Sequence, residues 1–313
     1  MAQIGVPVIN ATGIPVDTSR ALPVRDPVLS GGINSSVRFM FDLAFPWSYP
    51  GGSPIGRPNA ADPVDAAVIY DMSERSNGAM IEPAGTVTYS GGGFDFTNCQ
   101  ALSTGAQRNN GIIMPASVLS DIWTSYGGNS QYYLFSAFVK LPTLANWNAA
   151  ATLLSFAGDA AYTSVPSIFT MAQLSAAGGG PGIQVRRQVA AATYDTTNQL
   201  TLTPASADYG SVVQIAHWRN ASGQFLRLKS ANGTILITRA IGSANTQDFS
   251  ANSFCVGRNG VAFGGASSTA VLSALSGFRV YRAFMENLAR SLRDPVAVLD
   301  AEYAAVTARS VFT

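Results

Sequence analysis

The sequence predicts an all-β protein, built as a sandwich of two antiparallel sheets. From about residue 66 onward, short runs of β-favouring residues alternate with turn residues. Asn and Gly tolerate the positive φ of tight turns, and Asn-Gly dipeptides stand at 77–78, 110–111, 232–233 and 259–260. Helical periodicity is confined to a short stretch at 115–124 and to residues 286–309.

Residues 1–30 are predicted to form an extended docking arm. They contain Pro7, Pro15, Pro23 and Pro27, and each proline fixes its own φ and favours extended geometry in the residue before it. The arm has neither a helical period nor hairpin residues, so it cannot bury its apolar side chains against itself. We expect these side chains to lie along a neighbouring protein. They include Ile4, Val6, Val8, Ile14 and Val16.

Residues 31–283 are assigned to the sandwich. NSSVRFMFDLAF at 34–45 predicts its first strand, and the Pro- and Gly-rich stretch 46–64 predicts a long loop. The stretch 211–239 predicts three consecutive antiparallel strands. Strand alternation places one set of side chains on a common face. That set is Val213, Ile215, His217, Leu226, Leu228, Ile235 and Ile237.

Residues 284–313 are assigned to a C-terminal helical segment packed on the sandwich. Within it we predict a short helix at 286–293, because Leu288 and Leu292 are four residues apart and would share a buried face. Asp294 precedes Pro295, and a residue before proline avoids helical geometry, so we expect the helix to end there.

Composition excludes several classes of protein. Only 12% of residues are charged and the net charge is +1, which gives no electrostatic field for nucleic acid. No apolar run is long enough for a transmembrane helix, and the N-terminus has no secretory signal, so we expect synthesis in a host cytoplasm without membrane insertion. Cys99 and Cys255 are expected to be reduced thiols, and their spacing leaves a disulfide open.

Three segments carry a resemblance to a known family. They are AAVIYDMSERSNGAMI (66–81) with GGGFDFTN (91–98), the meander at 211–239, and SGFRVYRAFMENLARSLRDPVAVL (276–299). In order and spacing they resemble the concanavalin A-like lectin/glucanase superfamily, in its laminin G-like variety. The resemblance implies a jelly-roll sandwich with short C-terminal helices. Bacteriophage virion proteins of this kind exist, and so do lectins, glycosidases and inert modules, so the fold alone does not fix function.

Catalytic chemistry is not predicted. His217 is the only histidine and lies mid-strand, and no GxSxG elbow accompanies it. Glycosidases of the similar superfamily carry E-x-D-x-E on one strand, and this chain has no such run. Two acidic pairs, Asp62 with Asp65 and Asp300 with Glu302, are interpreted as solvated or capping residues.

Two kinds of binding site are considered. Exposed aromatic side chains bind sugars, and the candidates are Trp123, Tyr126, Tyr132, Trp147 and Tyr162. Loop carboxylates hold calcium in similar lectins, and the weak candidates are Asp71, Glu74 and Asp95, without the spacing of a calcium loop. No other cofactor or metal is expected, since the Gly-rich loops lack the Lys-Ser/Thr of a phosphate loop.

Three functions remain for comparison. The first is a bacteriophage virion structural protein, either a tail, baseplate or fibre component or a capsid decoration. Its partners would be other virion proteins and copies of itself. The alternative is a carbohydrate-binding module that attaches to a host surface glycan. The third is a polysaccharide-degrading enzyme.

Overall fold

The prediction of an all-β protein is confirmed. A computed structural model describes residues 26–29, 36–45, 48–49, 68–73, 78–81, 87–98, 111–114, 131–147, 151–157, 168–173, 180–190, 193–245, 253–256 and 275–313. These residues form two sheets, in which every described pair of neighbouring strands is antiparallel. Strands are numbered in chain order, and the sheets are called sheet A and sheet B.

Sheet A has eight strands. They are β1 (Val37–Asp42), β4 (Thr88–Ser90), β5 (Gly93–Asp95), β7 (Tyr133–Lys140), β13 (Val212–Asn220), β14 (Gly223–Ser230), β15 (Gly233–Arg239) and β17 (Arg279–Asn287). Their order across the sheet is β15-β14-β13-β7-β17-β5-β4, and β1 pairs with β17 beside β5. The predicted meander is therefore present as β13, β14 and β15, and the first predicted strand as β1.

Sheet B has nine strands. They are β2 (Val68–Ile69), β3 (Gly78–Ile81), β6 (Gly111–Ile113), β8 (Ala151–Ala157), β9 (Ile168–Gln173), β10 (Gly182–Ala190), β11 (Thr193–Tyr194), β12 (Leu200–Leu202) and β16 (Ser253–Val256). Their order is β11-β10-β9-β8-β16-β6-β3-β2, and β12 also pairs with β10.

The main core lies between the inner faces of the two sheets. Sheet A contributes the face predicted from alternation, because Ile215 pairs with Leu228 and Leu226 pairs with Ile237 in the observed register. Sheet B contributes Ile183 and Val185, which join Ile215, Leu226 and Leu228 in one buried apolar cluster, with Ile237 packed against it. This burial supplies the main stabilisation of a sandwich.

Part of the outer face of sheet A is also buried, under two helices that follow β17. These are α1 (Leu288–Ser291) and α2 (Pro295–Thr307). Val298 and Leu299 of α2 pack on Trp218 and Phe284 of the sheet. Because both faces of β7, β13 and β17 are covered, these strands show almost continuous burial. No helix in the described part of the chain is long and apolar enough to cross a membrane.

The helix prediction for 286–293 is wrong. Residues up to Asn287 remain in β17, and α1 is a single turn that ends at Leu292, whose φ of 55° is left-handed. Leu292 is 84% exposed, whereas Leu288 is buried as predicted. Asp294 does not end a helix. It caps the start of α2 by accepting from Val296 N at 3.0 Å, and Pro295 takes the first helical position.

A buried charge cluster lies beneath α2. The guanidinium of Arg282 in β17 is fully buried and pairs with three carboxylates, those of Asp26, Asp42 and Glu302. These carboxylates raise the pKa of Arg282 against the opposing effect of burial. Arg309 also pairs with Asp42 at 2.6 Å. The cluster therefore joins the C-terminal residues and residue 26 to the centre of sheet A.

Four residues of the predicted arm pack on the sandwich. Val28 and Leu29 are buried against the outer face of sheet A, next to the ion pair of Asp26 with Arg282. The remaining arm residues, including Ile4, Val6, Val8, Ile14 and Val16, lie outside the described residues. So do Cys99 and the predicted helix at 115–124. The division at residue 30 remains a prediction, with residues 26–29 in contact with the sandwich.

Candidate functional site

The outer face of sheet A is only partly covered by α2. The helix lies over β13, where Nε2 of Gln214 donates to the carbonyl of Leu299 at 3.1 Å. Beside the helix, the outer face of β15 is exposed and Phe225 and Lys229 of β14 are half-buried, and we call this area the shelf. Its floor consists of Phe225, Lys229, Thr234, Leu236 and Thr238, with Arg227 buried among them. Its wall consists of Asp300 and Tyr303, which contact Arg227 and Lys229, and of Val296, one helical turn before Asp300.

The shelf presents apolar groups and hydroxyls to solvent. Leu236 in the floor is 46% exposed and Val296 in the wall is 39% exposed. Thr234 and Thr238 are exposed on either side of Leu236. Phe225 is half-buried, with its ring stacked on Trp218 at a centroid distance of 4.8 Å. Such a mixture of apolar surface and a few polar groups is typical of ligand sites.

A single carboxylate supplies the charge of the wall. Oδ1 of Asp300 accepts from both Arg227 and Lys229, the latter at 2.6 Å. These hydrogen bonds, the one from Lys229 first, hold the pKa of Asp300 below its usual range. Both bonds use Oδ1, and the side chain is 47% exposed, so Oδ2 remains available to a ligand that donates hydrogen bonds.

Two buried polar atoms beneath the helix have no hydrogen-bond partner. They are Oε1 of Gln214 on β13 and Nη1 of Arg227 on β14. Buried polar atoms are nearly always hydrogen-bonded, and each orphan requires an explanation. Here one acceptor and one donor remain unused beneath α2, out of reach of a ligand on the shelf.

The structure describes two of the five predicted sugar-binding aromatics. Tyr132 is half-buried, and the guanidinium carbon of Arg219 lies 5.8 Å from its ring centroid. Trp147 belongs to the core, where it is 3% exposed and packs edge-on against Tyr209 at 5.5 Å, so it is not available to a sugar. Trp123, Tyr126 and Tyr162 lie outside the described residues.

Two of the weak calcium candidates, Asp71 and Asp95, have structural partners. Oδ1 of Asp71 accepts from Met40 N at 3.0 Å and from Ser73 N at 2.8 Å, which fixes its loop to β1. Asp95 pairs with Arg279 at 2.9 Å. Glu74 lies outside the described residues. In the part of the chain that the structure covers, no three His, Cys, Asp or Glu side chains are grouped to hold a metal ion.

His217 occupies the predicted position in the inner face of β13. It is 1% exposed, and its Nε2 lies 3.2 Å from the hydroxyl of Tyr133. Burial, together with the charges of Arg187 and Arg219, lowers the pKa of His217 to about 3. A neutral histidine without access to solvent cannot transfer protons to a substrate.

The acidic pair at 300 and 302 divides into two roles. Asp300 is half exposed, as the solvated interpretation requires. Glu302 is fully buried, which corrects that interpretation, and it accepts from Ser136 at 2.9 Å and from Gln214 at 2.8 Å. Burial raises the pKa of Glu302, while Arg282 and Ser136 act in the opposite direction. Asp62 and Asp65 lie outside the described residues.

Sequence reasoning missed a polar strap at residues 240–245, which crosses the end of the sandwich after β15. Arg187 donates to Ser243 O, Arg219 donates to Ile241 O and Gly242 O, and Gln224 donates to Ala240 O. Arg187 also pairs with Asp195 at 2.8 Å. Arg187 and Arg219 stand inside runs of β-favouring residues, which was a visible signal for buried polar contacts, but their carbonyl partners depend on the path of residues 240–245.

The comparisons with known proteins found similar solved structures. The binding domain of botulinum neurotoxin serotype D has 10% identity and a TM-score of 0.47, covering 87% of this chain and 52% of that chain. The CBM40 of the Ruminococcus gnavus IT-sialidase has 12% identity and a TM-score of 0.38, covering 64% of this chain and 96% of that chain. Trypanosoma rangeli sialidase, in complex with sialic acid, has 9% identity and a TM-score of 0.38, covering 80% of this chain and 31% of that chain.

The chain thus spans about half the length of the botulinum domain that it matches. No protein-family profile and no curated protein sequence matches the chain. With identities near 10% and TM-scores below 0.5, we take the class of the protein from its own strands and core. That class is an antiparallel β-sandwich with one sheet covered on its outer face by a C-terminal helix.

Proposed function

We propose that this chain is a non-catalytic carbohydrate-binding module of the concanavalin A-like superfamily, used to attach to a host surface. The observation that carries the proposal is the shelf, where exposed apolar side chains lie beside threonine hydroxyls and an ionised, half-exposed carboxylate. Sugars offer apolar ring faces and donating hydroxyls, so they match both parts of this surface.

Asp300 has the central role in this proposal. A carboxylate oxygen is a strong acceptor for sugar hydroxyls, and bonds to a charged acceptor are about twice as strong as neutral ones. Arg227 and Lys229 hold the carboxylate in place through Oδ1, which leaves Oδ2 for the ligand. Leu236 and Val296 would pack against the apolar face of the same sugar.

The test is a glycan array on the full chain with shelf variants. The probes include sialyllactose, which is bound in a structure of the Ruminococcus gnavus CBM40, and ganglioside glycans, since cell entry of botulinum neurotoxin type C is described as dependent on gangliosides. Val296→Ala and Asp300→Asn should each lower binding by about tenfold or more. The matched control is Val311→Ala, since Val311 is 38% exposed and its carbonyl lies beside Gly92, between β4 and β5 at the other side of sheet A. Absence of binding to every glycan, or full binding by both shelf variants, would contradict the proposal.

A second candidate is a structural role in a bacteriophage virion, on a tail, baseplate or fibre or as a capsid decoration. The observation that favours it is β15, a seven-residue strand at the edge of sheet A that pairs on one side only among the described strands. Co-sedimentation of the full chain with purified particles tests this role.

The non-catalytic part of the proposal is tested by a reducing-sugar assay, in which release of sugar ends would contradict it.

A further inference from the structure

Among the described strands, β15 forms an open edge of sheet A. It pairs with β14 over its whole length without a register shift, and no other described strand pairs with it. Thr234, Leu236 and Thr238 are exposed, while Ile235 and Ile237 are half-buried at the margin of the core. An unpaired strand edge is a template for pairing with another strand.

The hairpin geometry identifies the outward backbone groups of β15. The pair Ser230–Gly233 closes a two-residue turn, and such a closing pair exchanges both of its backbone bonds. Bonding then alternates, so Ile235 and Ile237 bond to β14 while Thr234, Leu236 and Thr238 direct their N–H and C=O groups outward. Among the described residues, the carbonyl of Thr238 accepts from Nη1 of Arg239 at 2.9 Å, and the other outward groups have no protein partner.

The sequence of this edge is a palindrome. Residues 234–238 read Thr-Ile-Leu-Ile-Thr in both directions. We propose that β15 pairs antiparallel with β15 of a second copy of the chain, about a two-fold axis at Leu236. This register places Leu236 opposite its own copy and Thr234 opposite Thr238 of the second copy. The outward groups of both strands then meet as bonded pairs, as an isologous two-fold interface requires.

Side chains match on both faces in this register. On the inner face, Ile235 meets Ile237 of the second copy and extends the core of each sandwich. On the outer face, the threonines pair with each other and the two leucines pack together, and such cross-strand pairs are stabilising. The only charged residue of β15 is Arg239, which stands opposite the second copy's Gly233, so no like charges oppose each other.

The edge also lacks the features that prevent edge strands of natural proteins from pairing with other chains. Proteins protect edge strands with proline, lysine, bulges or very short strands. β15 has seven residues, no proline, no lysine and a regular register. A second copy is the partner that this strand fits best, because only the strand itself carries the same palindrome.

Sedimentation velocity on the full chain tests the proposal, over about 1–100 µM, where weak interfaces dissociate. We expect the wild-type chain to dimerise in this range. Leu236→Lys should raise the dissociation constant at least about tenfold, because two lysines would meet on the axis. Mixing Leu236→Lys with Leu236→Glu should restore dimers, since opposite charges then face each other. The control is Leu144→Lys, at a leucine that is 54% exposed in another part of the fold.

Two results would overturn the proposal. One is a wild-type chain that stays monomeric throughout the range. The other is a dimer that persists in Leu236→Lys, which would assign the contact to another surface or to residues 1–25. Hydrogen exchange gives a readout without any variant: exchange of the 234–238 amides should slow as protein concentration rises. Exchange that does not change with concentration would contradict the pairing.

Discussion

At the scale of single residues, His217 is held neutral by its surroundings. Its ring lies in the core beside the hydroxyl of Tyr133, with Arg187 and Arg219 close enough to disfavour a second positive charge. In the unfolded chain the same side chain would titrate near its usual pKa of 6.5. The difference makes stability depend on pH.

The direction of the pH dependence follows from proton uptake by the unfolded chain. Between pH 6.5 and 3 the unfolded chain binds a proton at His217 and the folded chain does not, so acid favours unfolding. The wild-type chain should lose about 2 kcal/mol from this group between pH 7 and pH 5. His217→Gln should lose less over the same interval. Urea unfolding at both pH values measures this, and equal losses in the two proteins would contradict the assignment.

Asp300 and Glu302 show how far residue-level prediction from sequence could go. Both were expected near the surface, since acidic residues in a terminal helix are usually solvated. Which of the two faces the sheet depends on the rotation of α2, and that is set by Val298 and Leu299 packing on Trp218. The shelf could not be predicted for the same reason, because its wall belongs to α2 and its floor to β14 and β15.

At the scale of elements, the meander was predictable because its apolar residues alternate. Val213, Ile215, Leu226 and Leu228 follow the period of a strand, and the turns between the strands are short. The C-terminal helices were harder to predict. Leu288 and Leu292 have the spacing of a shared helical face, but α1 ends before Leu292 can join that face. The capping residue Asp294 and the first-turn residue Pro295 start a helix at that point, and sequence reasoning treated them as its end.

Substitution of Leu292 should therefore cost little stability, and glycine at this position should increase the stability of the protein. Its φ of 55° is unfavourable for a side chain with a Cβ, and glycine adopts this geometry freely. We expect Leu292→Gly to raise the free energy of unfolding by up to about 1 kcal/mol. Leu299→Ala, at a fully buried position, should lower it by about 2–5 kcal/mol. Thermal unfolding of both variants checks this, and a large loss in Leu292→Gly would show that its side chain is needed.

Gly242, in the polar strap, is a second position where backbone geometry favours glycine. A Cβ there would meet Oδ2 of Asp195 and lie 2.6 Å from Nη2 of Arg187, and the φ is +63°. Gly242→Ala should therefore lower the free energy of unfolding by about 1–3 kcal/mol. Gly180→Ala is the control, because no atom of the described residues lies within 4 Å of its added Cβ. Equal stability of the two variants would show that residues 240–245 can rearrange around the added Cβ without loss of stability.

At the scale of the whole molecule, the boundary of the arm is testable by truncation. Deleting residues 1–30 removes Asp26 from Arg282 and uncovers the apolar surface under Val28 and Leu29. Deleting residues 1–25 keeps these contacts. We expect the longer deletion to be less stable than the shorter one by about 2–5 kcal/mol. Chemical denaturation of both proteins measures the difference, and equal stability would place residues 26–29 outside the cooperative fold.

The position of β17 determines when the molecule can fold during synthesis. β17 lies between β7 on one side and β1 with β5 on the other, so the earlier strands lack their central neighbour until residues 279–287 are made. Arg282 then still lacks Glu302, the carboxylate supplied by α2. A nascent chain that ends before α2 would carry two separated parts of sheet A and a poorly compensated charge. We therefore expect sheet A to close only after residue 302 has left the ribosome, as a slow step dominated by long-range contacts that exposes the growing chain to chaperones.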